Sequence, residues 1–513
     1  MGLEISYPTR PVAGDTTRVH VGAFVRVRAA LNIRHWPLVR QFMFALMILY
    51  VAKQIFLVII APPFSGHDEI AHYSYLRTVV TEHRVPKLID LNAFRQALAN
   101  HQKLPGDYLP NELYKYCTYA LDWNYCNDPQ WANNPPHAVV LGSKYYPAGY
   151  QYAANHPPLY YLIMTPVYLA TEHLTPEGQQ YWLRAVAIPF GVMTVLLAYL
   201  LITTLFPGDT FLRITVPTFV AFQTQISYEA SMLNNDILCI ALYSLVLYLL
   251  VIGIRDRFPT KICVFTGAAL GLALLSKGTS LTAAPLIMIA IILGVGIRHV
   301  RRWVVCGAIT GGVAALLSWP WFLFLHRTYG DFSGLGRLEQ LQWWNYQYQK
   351  KPSVLDQLWN RDFAVMRWRE TWGEFGWRRI PIGDGILWAV GIACLIALVG
   401  FVYYGWLVTL GQQSQTDPVQ RLARWQQWSI FLIFATVVIV YFAVLQFGTR
   451  FSLTQARYYF PAINALAVVL MLGVRALIPR SADRYAAATI VAMLVILNVA
   501  VYTQYVIPYW YMT

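Results

Sequence analysis

Eleven apolar runs of roughly membrane-spanning length leave this chain little choice but a bundle of helices in a bilayer. A helix needs about 20 apolar residues to cross. Runs of this kind lie near 41–61, 182–205, 211–227, 236–254, 262–276, 279–297, 303–325, 385–409, 427–446, 460–478 and 485–508. Backbone groups inside a bilayer must be bonded internally, and continuous apolar runs satisfy that as helices. Composition agrees. The chain is 57% hydrophobic and 12% charged, against about 25% charged in soluble domains. The fold class read from this is an all-α polytopic membrane protein with about eleven transmembrane helices.

The runs divide the chain. Residues 1–40 form a basic N-terminal segment with six arginines and no lysine. Residues 41–325 form a first membrane module that includes a long polar stretch, 62–181. Residues 326–384 form a second polar stretch, and 385–513 return to the membrane. The formal charge of +14 would suit nucleic acid, but the cations sit in short connections between apolar runs, as cytoplasmic loops do. "RDRFPTK" (255–261), "RHVRR" (298–302), "QRLARW" (420–425) and "PRSADR" (479–484) therefore read as cytoplasmic, with the N-terminus. With eleven spans this is self-consistent. It puts 62–181, 326–384, "SYEASMLNND" (227–236), "LLSKGTS" (274–280) and "RFSLTQARYYFP" (450–461) on the outer face. The N-terminal segment has no small-residue cleavage site, so the first run is expected to stay as an anchor. "HPPLYYLIMTPVYLA" (156–170) is apolar enough to count, but it is short and holds Pro166. It reads as an interfacial or re-entrant helix.

Cys239, Cys263, Cys306 and Cys394 lie in apolar runs and read as packing residues. Cys117 and Cys126 lie in the outer polar stretch and are expected to form a disulfide if that side is oxidising.

The candidate chemistry sits in the outer connections. "SGHDEIAHY" begins directly after the first run. On a helix Asp68 and His72 share a face, and Glu69 and His72 nearly do. A partly desolvated carboxylate there can act as a general base. It can equally be a helix cap, with Ser65 as a second cap candidate. Arg457 and Lys277 are cations against the positive-inside trend, which suits an anionic phosphate or snorkelling to headgroups. Asn234, Asn235 and Asp236 open a span and could cap it. "ETWGEFGW" (370–377) sets Glu370 and Glu374 among Trp372 and other aromatics, which suits sugar stacking or an interfacial aromatic belt. His67, His72 and His156 with Asp68 or Glu69 could ligate a divalent metal, but no HxH or HExxH pattern is present. A metal is not expected to be obligatory.

In this order, "PPFSGHDEIAHY", "NHPPLYYL", "SYEASMLNND", "LLSKGTSL", "WGEFGW" and "QARYYFPAI" resemble the GT-C glycosyltransferases, integral membrane enzymes that use polyprenyl-phosphate-linked sugars. The Asp-Glu pair is similar to that of their first external loop. "NHPPLYYL" resembles a stretch of protein O-mannosyltransferases and aminoarabinose transferases. The resemblance covers roughly residues 40–480. It departs from the family in showing no large C-terminal soluble domain and no Trp-Trp-Asp signature of oligosaccharyltransferases. It implies a GT-C fold in the cell membrane and an inverting transfer of a sugar from a polyprenyl-phosphate donor. The acceptor would be a hydroxyl of a glycan, lipid or protein on the outer face. It implies Asp68 as the base, with Glu69 positioning the acceptor or tuning Asp68, and Arg457 with Lys277 on the donor phosphate. Asp236, Asn235, His156, Glu374, Trp372, Tyr458 and His72 would line the acceptor or sugar pocket. A transporter or flippase of lipid-linked glycans is the alternative. It would place ionisable groups near the bilayer midplane, where Lys53 is the clearest case.

Overall fold

A computed structural model describes residues 36–100, scattered positions from 102 to 116, and 151–341, 351–409, 422–451 and 454–512. Cys117 and Cys126 lie outside the described residues.

The described chain is helical throughout. Helix α1 (Leu38–Ile60) leads to α2 (Glu69–Glu82), α3 (Leu159–Ala170), α4 (Pro176–Leu205), α5 (Thr210–Phe222) and α6 (Thr224–Glu229). Then come α7 (Asp236–Asp256), α8 (Thr260–Ser276), α9 (Ala283–Val295) and α10 (Val300–Tyr329). The last third holds α11 (Val354–Trp359), α12 (Arg361–Trp372), α13 (Asp384–Thr409), α14 (Arg424–Gly448), α15 (Ile463–Leu477) and α16 (Asp483–Val501). Shorter helices form at 91–99, 335–341, 375–378 and 507–511. Extended pairing among the described residues is confined to the bridges Glu374–Pro381 and Phe375–Ile380.

Nine helices among the described residues are long and apolar enough to cross a membrane, and the protein is a multi-pass membrane protein. Two of the eleven expected spans are shorter than the expectation. Helix α8, with 17 residues, is about 26 Å long, and α5, with 13, about 20 Å, against a hydrocarbon core of about 30 Å. The expected span 211–227 breaks at Gln223, whose backbone is extended and whose side chain accepts from Ile226 N at 2.6 Å to start α6. The break frees carbonyls on both sides of Gln223, and buried side chains take them up. Lys53 Nζ donates to Ala221 O and, at 2.7 Å, to Ser227 Oγ. Asn498 donates to Phe222 O, and Tyr502 to Thr224 O at 2.7 Å. Backbone groups freed in an apolar setting need such partners, so Lys53 serves the helix break. Helix α3, with 12 residues, is about 18 Å long and too short to cross.

Close crossings tie the bundle. A Cβ on Gly473 of α15 would collide with Ala397 O of α13, and one on Gly400 with Gly473 O, so these two helices meet backbone to backbone, as small residues permit in membranes. The chain alternates direction, and its connections sort to two ends. At one end Arg475 and Arg480 each reach Asp209 at 3.1 Å, Gln426 reaches Leu205 O at 2.6 Å, and Arg302 reaches Arg257 O at 2.9 Å. At the other, Glu69 accepts from Leu233 N at 2.8 Å and Asn235 donates to Ser276 O at 2.8 Å. The arginine-rich connections share the first end; the candidate residues share the second.

Candidate functional site

The loop after α1 folds back on itself. Ser65 Oγ donates to Pro62 O at 2.7 Å and does not cap. Asp68 occupies the N-cap position of α2, yet its backbone is left-handed (φ 58°, ψ 9°) and its carboxylate makes no capping bond. It bonds instead to Arg457, which donates from Nη2, and to the hydroxyl of Tyr152. A left-handed non-glycine residue costs roughly 1–2 kcal/mol and persists only where its surroundings enforce it.

Arg457 lies in a tight 3-10 turn, Ala456–Ala462, that leads into α15. Glu370 fixes the start of that turn by accepting from Ala456 N at 2.8 Å, and is itself held by Arg367 at 2.7 Å and by Arg378. Arg457 Nη1 stands 3.4 Å from Asp236 Oδ2, and Lys277 pairs with Asp236 Oδ1. Both cations are buried, Arg457 at 5% exposure and Lys277 at 7%, so neither snorkels. The Nε and Nη1 hydrogens of Arg457 have no hydrogen-bond acceptor.

The Asn234–Asn235–Asp236 triplet divides its work. Asn234 Oδ1 accepts from Asp236 N at 3.0 Å and Ile237 N at 3.3 Å, and so caps α7. Asn235 ties α7 to the end of α8. Asp236 is left for the cations.

Two histidines complete the polar wall. His72 Nδ1 bonds to Tyr161 OH at 2.8 Å, and its ring lies 5.6 Å from that of His156. Burial pushes His72 down to about 4, outweighing the opposing pull of Asp68. Burial likewise drives His156 well below the usual imidazole range, and its Nδ1 is buried without a hydrogen-bond partner. Both rings are neutral near pH 7. At Asp68, burial works against the charge, but the Arg457 guanidinium outweighs it and holds the carboxyl well below its ordinary range.

These groups line one cavity of about 540 Å³. Asp68, His72, His156, Asp236, Lys277, Arg457 and Tyr458 all reach it. Its remaining lining joins an apolar stretch, Leu281, Trp321, Phe322, Leu325 and Phe447, to polar residues that include Asn155, Asp331 and Gln455. Leu281, on this wall, is 60% exposed. Tyr458 lies under both cations, 4.9 Å from Lys277 Nζ and 5.7 Å from the Arg457 guanidinium.

Four residues expected at the site do not line this cavity. Glu69 is fully buried behind it in a two-pronged pair with Arg184 at 2.8 and 2.5 Å. Its oxygens also accept from Gly66 N at 2.9 Å and Leu233 N at 2.8 Å, so it has no capacity left for a substrate. Asn235 is occupied as described. Trp372 packs edge-on against Phe219 at 6.0 Å. Glu374 is buried beside Gln225 and is pushed up to about 7, by burial first and then by Glu370. Sequence reasoning missed Tyr152 and Arg184, and it did not separate Glu370 from Glu374. The signal for Arg184 was present: an arginine inside an apolar run must find an anion, and Glu69 is its partner. Among the described residues no group of three or more His, Cys, Asp or Glu side chains is placed to hold a metal.

No curated protein matches the sequence. Among solved structures, the chain is similar to ArnT from Cupriavidus metallidurans bound to undecaprenyl phosphate, at 13% identity and a TM-score of 0.44, over 91% of this chain and 73% of that one. It is similar to the apo oligosaccharyltransferase of Archaeoglobus fulgidus, at 13% identity and a TM-score of 0.46, over 90% of this chain and 56% of that one. The same figures are 12%, 0.46, 91% and 56% for the archaeal oligosaccharyltransferase AglB from Archaeoglobus fulgidus in complex with an inhibitory peptide and a dolichol-phosphate. The chain thus spans little more than half the length of these oligosaccharyltransferases. A family model described as a predicted membrane protein (DUF2142) matches residues 53–465, about four fifths of the sequence, and the chain belongs to that family.

Proposed function

We propose that the protein is an inverting glycosyltransferase that moves a sugar from a polyprenyl-phosphate donor to a hydroxyl acceptor on the outer face of the membrane. The observation that carries this reading is the joining, in one cavity, of an acid, two buried cations and an apolar stretch of wall. The acid can take a proton, the cations can hold a phosphate, and the wall can take a prenyl chain. Sidedness follows from the arginine-rich connections at the opposite end, which the positive-inside rule puts in the cytoplasm.

In the reaction, Asp68 takes the proton of the acceptor hydroxyl as its oxygen attacks the anomeric carbon. The bond from that carbon to the phosphate oxygen breaks, and polyprenyl phosphate leaves with the electron pair. Arg457 and Lys277 neutralise the charge that develops on it. In the resting site Arg457 also holds Asp68 ionised and weakly basic. A donor phosphate that draws Arg457 toward itself loosens that hold, so Asp68 gains proton affinity as the donor arrives. His72 and His156, both neutral, can exchange hydrogen bonds with sugar hydroxyls.

The test is transfer by purified protein from a panel of radiolabelled polyprenyl-phosphate sugars to host membrane components. Wild type should transfer label from one donor, and folded Asp68→Asn should lose about 10²–10⁴ of the rate, as removal of a positioned base does. Transfer retained in Asp68→Asn would remove the base assignment. No transfer from any donor, with lipid-linked glycan crossing proteoliposomes instead, would favour a flippase.

A further inference from the structure

Behind the cavity wall lies a second set of polar groups that the proposed chemistry does not touch. Glu229 ends α6, is fully buried, and lies outside the cavity. His67 Nδ1 lies 2.9 Å from Glu229 Oε1, so with a carboxylate as partner that ring nitrogen donates. Gln225 Nε2 donates to the same oxygen at 3.0 Å. Asn234 Nδ2 donates to the backbone carbonyl of Glu229 at 3.1 Å and to its Oε2 at 3.3 Å.

We propose that Glu229 is a positioning residue that holds the two cavity acids in register, acting on Asp68 through His67 and on Asp236 through Asn234. The proposal rests on the glycosyltransferase reading for its effect on rate, but not for its effect on geometry. The contacts form a closed ring. On the cavity side, Arg457 joins Asp68 to Asp236. On the far side, His67, Glu229 and Asn234 join the same two acids, with Asn234 fixing the first turn of α7 through Asp236 N.

The need for such a device follows from the backbone of Asp68. Left alone, an aspartate at an N-cap relaxes to an extended backbone and bonds the amide two or three residues on, a gain of about 1 kcal/mol. Here that would swing the carboxylate away from Arg457 toward Ala71 N. What prevents it is pinning on both sides. Glu69 is locked by Arg184 and by the amides of Gly66 and Leu233, and His67 is locked by Glu229. Tyr228 adds a third tie at 3.4 Å to Ser65 O. The segment 228–234 thus grips the loop at three points, and Glu229 is its one charged contact there.

The test compares Glu229→Ala, Glu229→Gln, His67→Ala and the Glu229→Ala/His67→Ala double variant, each in the full-length protein. Misplacing a reacting group by about 1 Å can cost about 10²-fold. Glu229→Ala should therefore lower kcat by about 10- to 100-fold and leave the donor KM within about threefold, because Arg457 and Lys277 are still present to bind the phosphate. Glu229→Gln, which keeps an oxygen for His67, should restore most of the rate. The double variant should be no slower than Glu229→Ala alone, since both act through one link. Wild-type kcat in Glu229→Ala, or losses that multiply in the double variant, would overturn the proposal. A cryo-EM structure of Glu229→Ala gives a reading independent of activity. Asp68 should leave Arg457 and cap α2 at Ala71 N; Asp68 still on Arg457 would overturn the proposal even in a protein for which no donor is found. Absence of transfer by wild type would count against the glycosyltransferase reading instead.

Discussion

Arg457 stands between Asp68 and Asp236, with one arm on each carboxylate. Two anions, Asp236 buried and Asp68 partly so, thus share one buried cation, with Lys277 as the second.

This arrangement makes stability depend on pH in a definite direction. Asp68 has its proton affinity lowered on folding, so the pairing stabilises fully above the ordinary carboxylate range and is lost as pH falls through the folded value. Arg457→Met leaves carboxylates facing each other without that cation. Breaking a buried pair in this way costs about 3–5 kcal/mol. Thermal unfolding in detergent should show a large deficit at pH 7 that shrinks toward pH 4–5, where the bared acids protonate. A deficit that does not change with pH would contradict the pairing.

Glu69 and Arg184 are predicted to matter for folding. Both are fully buried, and neither touches the cavity. Glu69→Gln or Arg184→Met should each destabilise by about 3–5 kcal/mol, and the double replacement should cost less than the two single losses added together. Thermal unfolding of the four proteins checks this. Additive losses would mean the two side chains act separately.

Glu374 gives the opposite pH signature. Its folded value is raised to about 7 from an ordinary 4.5, so the folded protein binds this proton more tightly than the unfolded chain. Keeping the acid is neutral below pH 4.5 and costs progressively more as pH rises to 7 and above. Glu374→Gln should therefore raise the unfolding temperature at pH 8 and change it little at pH 4.5. An increase of equal size at both values would exclude ionisation as the cause.

The crossing of α13 and α15 makes a paired prediction. Gly473→Ala drives a methyl into the Ala397 carbonyl and should separate the helices, lowering the unfolding temperature by several degrees. Gly405→Ala, in α13 but with no neighbour within 4 Å, should be neutral or gain up to about 1 kcal/mol from helix propensity. Scanning fluorimetry of both variants decides it.

Much of this was readable from the residues in order. Apolar length marked the helices, and stray outer cations marked Lys277 and Arg457, since a charge against the positive-inside trend needs a partner. Helical spacing put Asp68 and His72 on one face. What spacing could not give was the backbone of Asp68, whose left-handed turn depends on residues 228–234. Nor could it separate Asp68 from Glu69. The two are adjacent, and only the partner at residue 184 shows that one is structural. The same holds for Glu370 and Glu374, which a local reading weighs equally, although it is Glu370 that pairs with Arg367 and Arg378. The break at Gln223 was hidden because an apolar run looks continuous even where a distant lysine is waiting for its carbonyls.

The Asp68–Arg457 pair joins positions 389 residues apart. A ribosome releases the aspartate long before it makes the arginine, and domains form in that order. An emerging chain that has inserted its first helices therefore carries an acid with no counterion. Only when the turn at 456–462 arrives can Arg457 join Asp68 to Asp236. The ion pair is in this sense a latch on biosynthesis, and a chain cut before residue 456 would carry every acid of the cavity without the arginine that joins them.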